Sequence, residues 1–283
     1  MSVSPTTSIV STQWLAERLG EPGLRVLDAS WYLPSAGRDA PAEYAAGHVP
    51  GARFFDLDLA SAPGQLPHML PSEAEFAAYA SSLGVSDDSQ IIAYDGSGVN
   101  LSAPRAWYMF RLFGHDRVAV LDGGMVKWKR EGRPLESGAP APVVGVFHAR
   151  LDRAGVRSMT EVERALRANQ VQVVDMRSPG RFRGSEPEPR PGLRSGHMPG
   201  ALNLPYAELV SRDGTLLPEP ALRARLEQAG LTLDRPVIAT CGSGVSACGL
   251  LLALHRLGHQ GTLYDGAWSE WASRGGAIVP GNG

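Results

Sequence analysis

The sequence predicts an α/β protein built from two tandem copies of one domain, each a parallel sheet with helices on both faces. Three observations predict it. Four sequence blocks recur in the same order at a nearly constant spacing. Short apolar, β-branched runs alternate with helical patterns. Those runs are continuously apolar rather than alternating in polarity, as expected of strands buried on both faces.

The repeat is read directly from the residues. Leu24-Arg-Val-Leu-Asp-Ala29 matches Val171-Gln-Val-Val-Asp-Met176, and Gly47-His-Val-Pro-Gly-Ala52 matches Gly196-His-Met-Pro-Gly-Ala201. Ile92-Ala-Tyr-Asp-Gly-Ser-Gly-Val-Asn100 matches Ile238-Ala-Thr-Cys-Gly-Ser-Gly-Val-Ser246. Leu121-Asp-Gly-Gly, with Trp128 beyond it, matches Tyr264-Asp-Gly-Ala, with Trp271 beyond it. The offsets are 147, 149, 146 and 143 residues, too long for a solenoid and near-constant enough to indicate duplication. The Pro/Gly-rich stretch 137–146 is the natural joint. We therefore expect domains at 8–136 and 157–280, with residues 137–156 as linker.

Within the copies, strands are predicted at 25–28, 90–94, 118–121, 172–175, 237–240 and 262–264. Helices are predicted at 11–19, 73–83, 103–113, 160–168, 220–229 and 246–257. In sheets of this kind ligands sit beyond the carboxyl ends of the strands.

Composition narrows the function. The 283 residues are 43% hydrophobic and 20% charged, which excludes a disordered chain. A net charge of −2 offers no basic field for nucleic acid, so no nucleic-acid partner is expected. The uncharged stretch 236–254 approaches the length of a membrane span. Its prolines, glycines and serines divide it into strand, turn and buried helix, so no membrane association is expected. The amino-terminal residues lack a basic head followed by an apolar core, and two cysteines cannot staple a secreted scaffold of this size. A cytoplasmic protein is expected. A duplicated chain makes its interface internally, which favours a monomer.

Differences between the copies locate the chemistry. The loop after the second matched strand reads Asp95-Gly-Ser-Gly-Val-Asn in the first copy and Cys241-Gly-Ser-Gly-Val-Ser in the second. Only the second places a thiol at a strand end, where a Gly/Ser loop feeds a helix. The unpaired N–H groups and partial positive charge of a helix amino terminus stabilise an anion, and glycines let a loop's N–H groups turn inward around it. A thiolate is the nucleophilic form, so Cys241 is the candidate nucleophile. Cys248 is read as core packing. No metal site is expected, since there is no Cys-x-x-Cys pair or histidine cluster, and no organic cofactor is implied. The second copy alone carries the arginine-rich loop Gly180-Arg-Phe-Arg-Gly-Ser-Glu-Pro-Glu-Pro-Arg190, an anion site if its forks converge. A repeated histidine before a Pro-Gly turn is usually structural, yet His48 and His197 are expected to differ in fate.

The duplicated domain, the His-x-Pro-Gly-Ala turns and the Cys-Gly-Ser-Gly-Val loop resemble the rhodanese superfamily. The resemblance runs through Val26–Pro34, His68-Met-Leu-Pro71, Ser102-Ala-Pro-Arg105 and Gly180–Arg190. It implies two rhodanese-like domains, the first without catalytic machinery. It also implies that Cys241 takes sulfur from 3-mercaptopyruvate as a persulfide, releases pyruvate, and passes the sulfur to cyanide or to a thiol such as thioredoxin. By the same resemblance Arg181 and Arg190 grip the donor, while Gly242, Gly244, Val245 and Ser246 complete the loop. A Ser243–His48–Asp39 relay, polarising the substrate, is implied as well. Thiosulfate-using members usually carry Arg and Lys after the cysteine; Gly242 and Ser243, neutral and small, favour 3-mercaptopyruvate, with thiosulfate:cyanide transfer as the alternative. A phosphatase would need arginine at position 247, which is alanine, and a P-loop would need a Gly-Lys-Ser/Thr ending. A non-catalytic binding or sensor module would commonly lose the cysteine.

Overall fold

The computed structural model describes residues 7–279. The chain forms two compact units: residues 7–62, 70–152 and 210–216 make the first, and 63–69, 153–209 and 217–279 the second. The carboxyl boundary expected at residue 280 lies outside the described residues. Segments 63–69 and 210–216, which belong to the unit opposite their neighbours in sequence, are separated by the offset of the repeat.

In the first unit the order is β1 (Ile9–Val10), α1 (Thr12–Ala16), β2 (Leu24–Asp28), α2 (Ala40–Ala46), β3 (Arg53–Phe54), α3 (Glu73–Ser82), β4 (Gln90–Tyr94), α4 (Ala103–Leu112), β5 (Val118–Leu121) and α5 (Gly124–Arg130). The second unit repeats it with β6 (Val156–Arg157), α6 (Met159–Ala168), β7 (Gln172–Asp175), α7 (Pro179–Arg183), β8 (Leu202–Asn203), α8 (Glu219–Gln228), β9 (Val237–Thr240), α9 (Ala247–Arg256), β10 (Thr262–Tyr264) and α10 (Ala267–Ser273). Both sheets are parallel and five-stranded, ordered β1-β5-β4-β2-β3 and β6-β10-β9-β7-β8, which is one topology used twice. Every residue of β4 and β9 is buried, which accounts for their unbroken apolar character. The two-residue strands β1, β3, β6 and β8 were beyond a pattern reading, since a period of two cannot be seen in two residues.

The recurring blocks have matching physical jobs. Trp128 Nε1 donates to the Pro134 carbonyl at 2.8 Å and Trp271 Nε1 to the Ala277 carbonyl at 2.7 Å, closing the loop after α5 and α10. Both indoles lie within their cores. His48 stacks on Tyr44 at 4.1 Å with Nδ1 2.8 Å from the Tyr44 carbonyl; His197 stacks on Phe182 at 4.0 Å with Nδ1 3.0 Å from the Phe182 carbonyl. The expectation that the two histidines differ in fate is overturned: each pins its Pro-Gly turn to an aromatic residue.

Most of the stretch expected as a linker is laid along the first unit. Gly145 N donates to the Ser81 carbonyl, Asp87 N to the Val146 carbonyl, and Gly138 N to the Ala45 carbonyl. A side chain at Gly145 would collide with the Val85 carbonyl, so the close approach needs glycine there.

Candidate active site

Strand β9 delivers Cys241 to the carboxyl edge of the second sheet, beside Asp175 at the end of β7, which pairs with Thr240. The Cys241 residue is 3% exposed. The loop from Cys241 to Ser246 then turns into α9, with Gly244 in the left-handed region at φ 78° and Ser246 as N-cap residue. Two contacts hold the turn. The amino end of α10 takes up its outer carbonyls, with Trp268 N donating to Cys241 O at 2.9 Å and Ser269 N and Oγ donating to Gly242 O at 3.0 and 2.7 Å. The buried Cys248 thiol donates to Gly244 O at 3.4 Å, so the second cysteine braces the loop from the first turn of α9. Val245 is buried beneath.

The first repeat shows what such a loop does with negative charge. Asp95 stands where Cys241 stands. One of its carboxylate oxygens accepts from Ser97 N and Oγ at 2.8 and 2.5 Å, and the other from Ser102 N and Ala103 N at 2.8 Å each. A loop that opens a helix thus gathers its N–H groups around an anion.

The arginine loop flanks the Cys241 loop. Ser178 caps α7, accepting from Arg181 N, and Pro179 opens the helix where its missing N–H costs nothing. The Arg181 guanidinium lies against Gly242: a Cβ there would sit 2.8 Å from Arg181 Nη2. Residue 242 is therefore small because the arginine occupies the side-chain space. Arg190 Nη2 donates to Ser243 Oγ at 3.3 Å. Both expected arginines are thus brought to the Cys241 loop, one at each of the two residues after it.

The expected relay is not what forms. Ser243 is buried, and its Oγ lies 2.9 Å from Nδ1 of His68, not of His48. His48 is fully buried in the first unit; its Nδ1 is committed to Tyr44 O, and its Nε2 has no partner among the described residues. Asp39 caps α2 by accepting from Ala42 N at 3.0 Å and lines a cavity of about 310 Å³ in the first unit, with Tyr32 and Arg38. His48 and Asp39 thus each hold a local bond within the first unit, at the Pro-Gly turn and at the start of α2. His68 belongs to the 63–69 segment of the second unit and holds a left-handed backbone, φ 60°. That conformation is uncommon for a residue with a side chain, and strain of this kind concentrates at functional sites. Its signal in the sequence was the His68-Met-Leu-Pro71 segment within the family resemblance, which nevertheless implied the relay at His48.

Among the described residues the two copies are one parallel α/β domain used twice, and the second carries a buried strand-end thiol in a loop that Arg181 meets at Gly242 and Arg190 at Ser243. Both halves, residues 11–131 and 158–274, match the Rhodanese-like domain. The chain is 44% identical to 3-mercaptopyruvate sulfurtransferase from Homo sapiens over 94% of its length and 92% of that protein. It is 40% identical to the mitochondrial thiosulfate/3-mercaptopyruvate sulfurtransferase 1 of Arabidopsis thaliana, over 96% of this chain and 78% of that one. The crystal structure of SseA from Escherichia coli, described as a 3-mercaptopyruvate sulfotransferase, superposes with a TM-score of 0.85 at 42% identity, covering 93% of this chain and all of the other. The chain belongs to the rhodanese family.

Proposed function

We propose that this protein is a 3-mercaptopyruvate sulfurtransferase. The observation that carries the reading is the convergence of Arg181 and Arg190 on the two neutral residues that follow Cys241. Two guanidinium forks there suit a donor bearing one carboxylate and a keto oxygen. Gly242 and Ser243 add no cation for a dianion, so thiosulfate is the weaker donor.

In the proposed cycle the Cys241 thiolate attacks the sulfur of 3-mercaptopyruvate. The S–S bond forms as the C–S bond breaks, and the enolate of pyruvate leaves and is protonated. A second nucleophile, cyanide or a thiol, takes the outer sulfur and returns the thiolate, a ping-pong scheme with a covalent intermediate. Gly244, Val245 and Ser246 shape the loop that holds thiolate or persulfide. Negative charge develops on the keto oxygen, where Arg190 and the Ser243 hydroxyl, in contact with His68, supply positive and hydrogen-bonding groups.

Cysteine, arginines, Ser243 and His68 come from one chain, which supports a monomer; light scattering checks it. No described helix is long and apolar enough to cross a membrane. We place the protein in the cytoplasm, with small thiols and thioredoxin as acceptors, and fractionation tests this against the mitochondrial address in one relative's name. The functional test is thiocyanate formation from cyanide with 3-mercaptopyruvate and thiosulfate side by side. Preference for 3-mercaptopyruvate that vanishes in Cys241→Ser is expected. A thiosulfate preference overturns the donor assignment, and activity surviving in Cys241→Ser overturns the mechanism.

A further inference from the structure

The arginine loop contains a buried carboxylate that the cycle above does not use. The Glu188 side chain is 2% exposed and joins two guanidinium groups. Its Oε1 accepts from Arg177 Nη1 at 2.6 Å and Arg181 Nε at 3.2 Å, and its Oε2 accepts from Arg181 Nη2 at 2.6 Å. Arg177 is anchored in the core: it forks onto Asp175, donates to Gly196 O at 2.8 Å, and sets its Cζ 4.1 Å from the centroid of the Trp268 ring. Burial alone would lower the Arg177 pKa, but Asp175 and Glu188 outweigh it and the net shift is upward. Prolines 187 and 189 bracket the glutamate and restrict its backbone.

The first repeat lacks this chain of charges. Asp28, the counterpart of Asp175, meets Ser30 where the second repeat has Arg177, and Met125 stands where it has Trp268. The buried arginine and its aromatic platform therefore occur together, in the repeat that carries the cysteine. Asp175 and Arg177 balance one another, and Glu188 balances Arg181. Arg181 thus meets the loop as half of a neutral pair, aimed by the Glu188 fork.

We infer that Glu188 is a positioning and specificity-determining residue: it aims Arg181 at the Cys241 loop and cancels one positive charge there, tuning the site to a singly charged donor over a dianion. This rests on the reading of Cys241 as the sulfur-transfer nucleophile. Glu188→Gln keeps the shape, raises the local charge by one and loosens the grip on Arg181. The KM for 3-mercaptopyruvate should rise while the thiosulfate-to-mercaptopyruvate ratio of kcat/KM shifts toward thiosulfate, roughly fivefold for one unit charge acting through a partly screened site.

A second readout needs no sulfur transfer. Alkylation of Cys241 by anionic iodoacetate is compared with alkylation by neutral iodoacetamide, with peptide mapping to separate it from Cys248. The iodoacetate-to-iodoacetamide rate ratio should rise by a similar factor in Glu188→Gln. If that variant does not fold, the same Glu→Gln step is made in an Arg181→Gln background, where both partners of the pair are neutral and the ratio should rise equally. Unchanged ratios, or loss of both donors by one common factor, would overturn the inference. Wild-type protein that forms no Cys241 persulfide with either donor would instead overturn the function proposed above, while the alkylation ratio still reports on Glu188.

Discussion

His68 Nδ1 lies 2.9 Å from Ser243 Oγ, across 175 residues of sequence, and Arg190 reaches the same hydroxyl from the arginine loop. Ser243 thus stands two residues past Cys241 with its oxygen accepting from a cation and its proton in reach of an imidazole. If this pair acts in turnover, His68→Gln lowers kcat/KM roughly a hundredfold, the low end for removing a general acid–base group. His48→Gln has the opposite profile: it destabilises the fold by about 1–3 kcal/mol through loss of a buried hydrogen bond and leaves the folded enzyme active. Steady-state kinetics beside thermal melts of both variants separate the two histidines.

Arg181→Ala and Arg190→Ala are each expected to weaken use of 3-mercaptopyruvate more than of thiosulfate, because in the proposed cycle each removes a fork for the carboxylate or the keto oxygen. Arg181→Ala also leaves the buried Glu188 with Arg177 alone, so the larger loss of stability belongs to it. Equal loss of both donors would show that the arginines act without regard to donor; kinetics with both donors decide.

Asp95→Ala should destabilise the first unit by roughly 2–4 kcal/mol, since four hydrogen bonds from the loop and the start of α4 lose their acceptor at a buried site. Chemical denaturation measures this. An unchanged midpoint would mean that the carboxylate does not organise the loop, and would weaken the parallel with the Cys241 loop of the second repeat.

Asp28 predicts a pH dependence. Burial, only partly offset by the bonds from Ser30 and Tyr94, raises its pKa to about 6. The folded state therefore holds this proton more tightly than the unfolded chain does. The stability it contributes is complete below about pH 4 and is lost as pH rises through about 6, a swing of about 3 kcal/mol. Asp28→Asn, which keeps an acceptor for Ser30 N, should remove that slope and raise Tm at pH 7.5 more than at pH 4. An equal effect at both pH values would refute the assignment.

Much of the fold was legible because duplication prints it twice. Offsets of 143 to 149 residues pair β2, β4 and β5 with β7, β9 and β10, and unbroken apolar runs mark β4 and β9 as central. Cys241 stood out against Asp95, and the arginine loop stood out because its copy has no such string. For His48 the repeat logic pointed to a structural turn, which its bond to the Tyr44 carbonyl and stack on Tyr44 fit; the relay role came from the family resemblance instead.

The duplication, the parallel sheets, the candidate nucleophile Cys241 and the arginines that meet its loop are legible along the chain, since each is a local pattern or a difference between aligned copies. Three contacts come from the fold alone: His68 rather than His48 meets Ser243, Glu188 rather than solvent receives Arg181, and Trp268 lies against Arg177. Those contacts join separate segments of the chain, and whether they form depends on where folding carries the 63–69 and 186–190 loops. No periodicity or spacing along a single strand of sequence encodes that path.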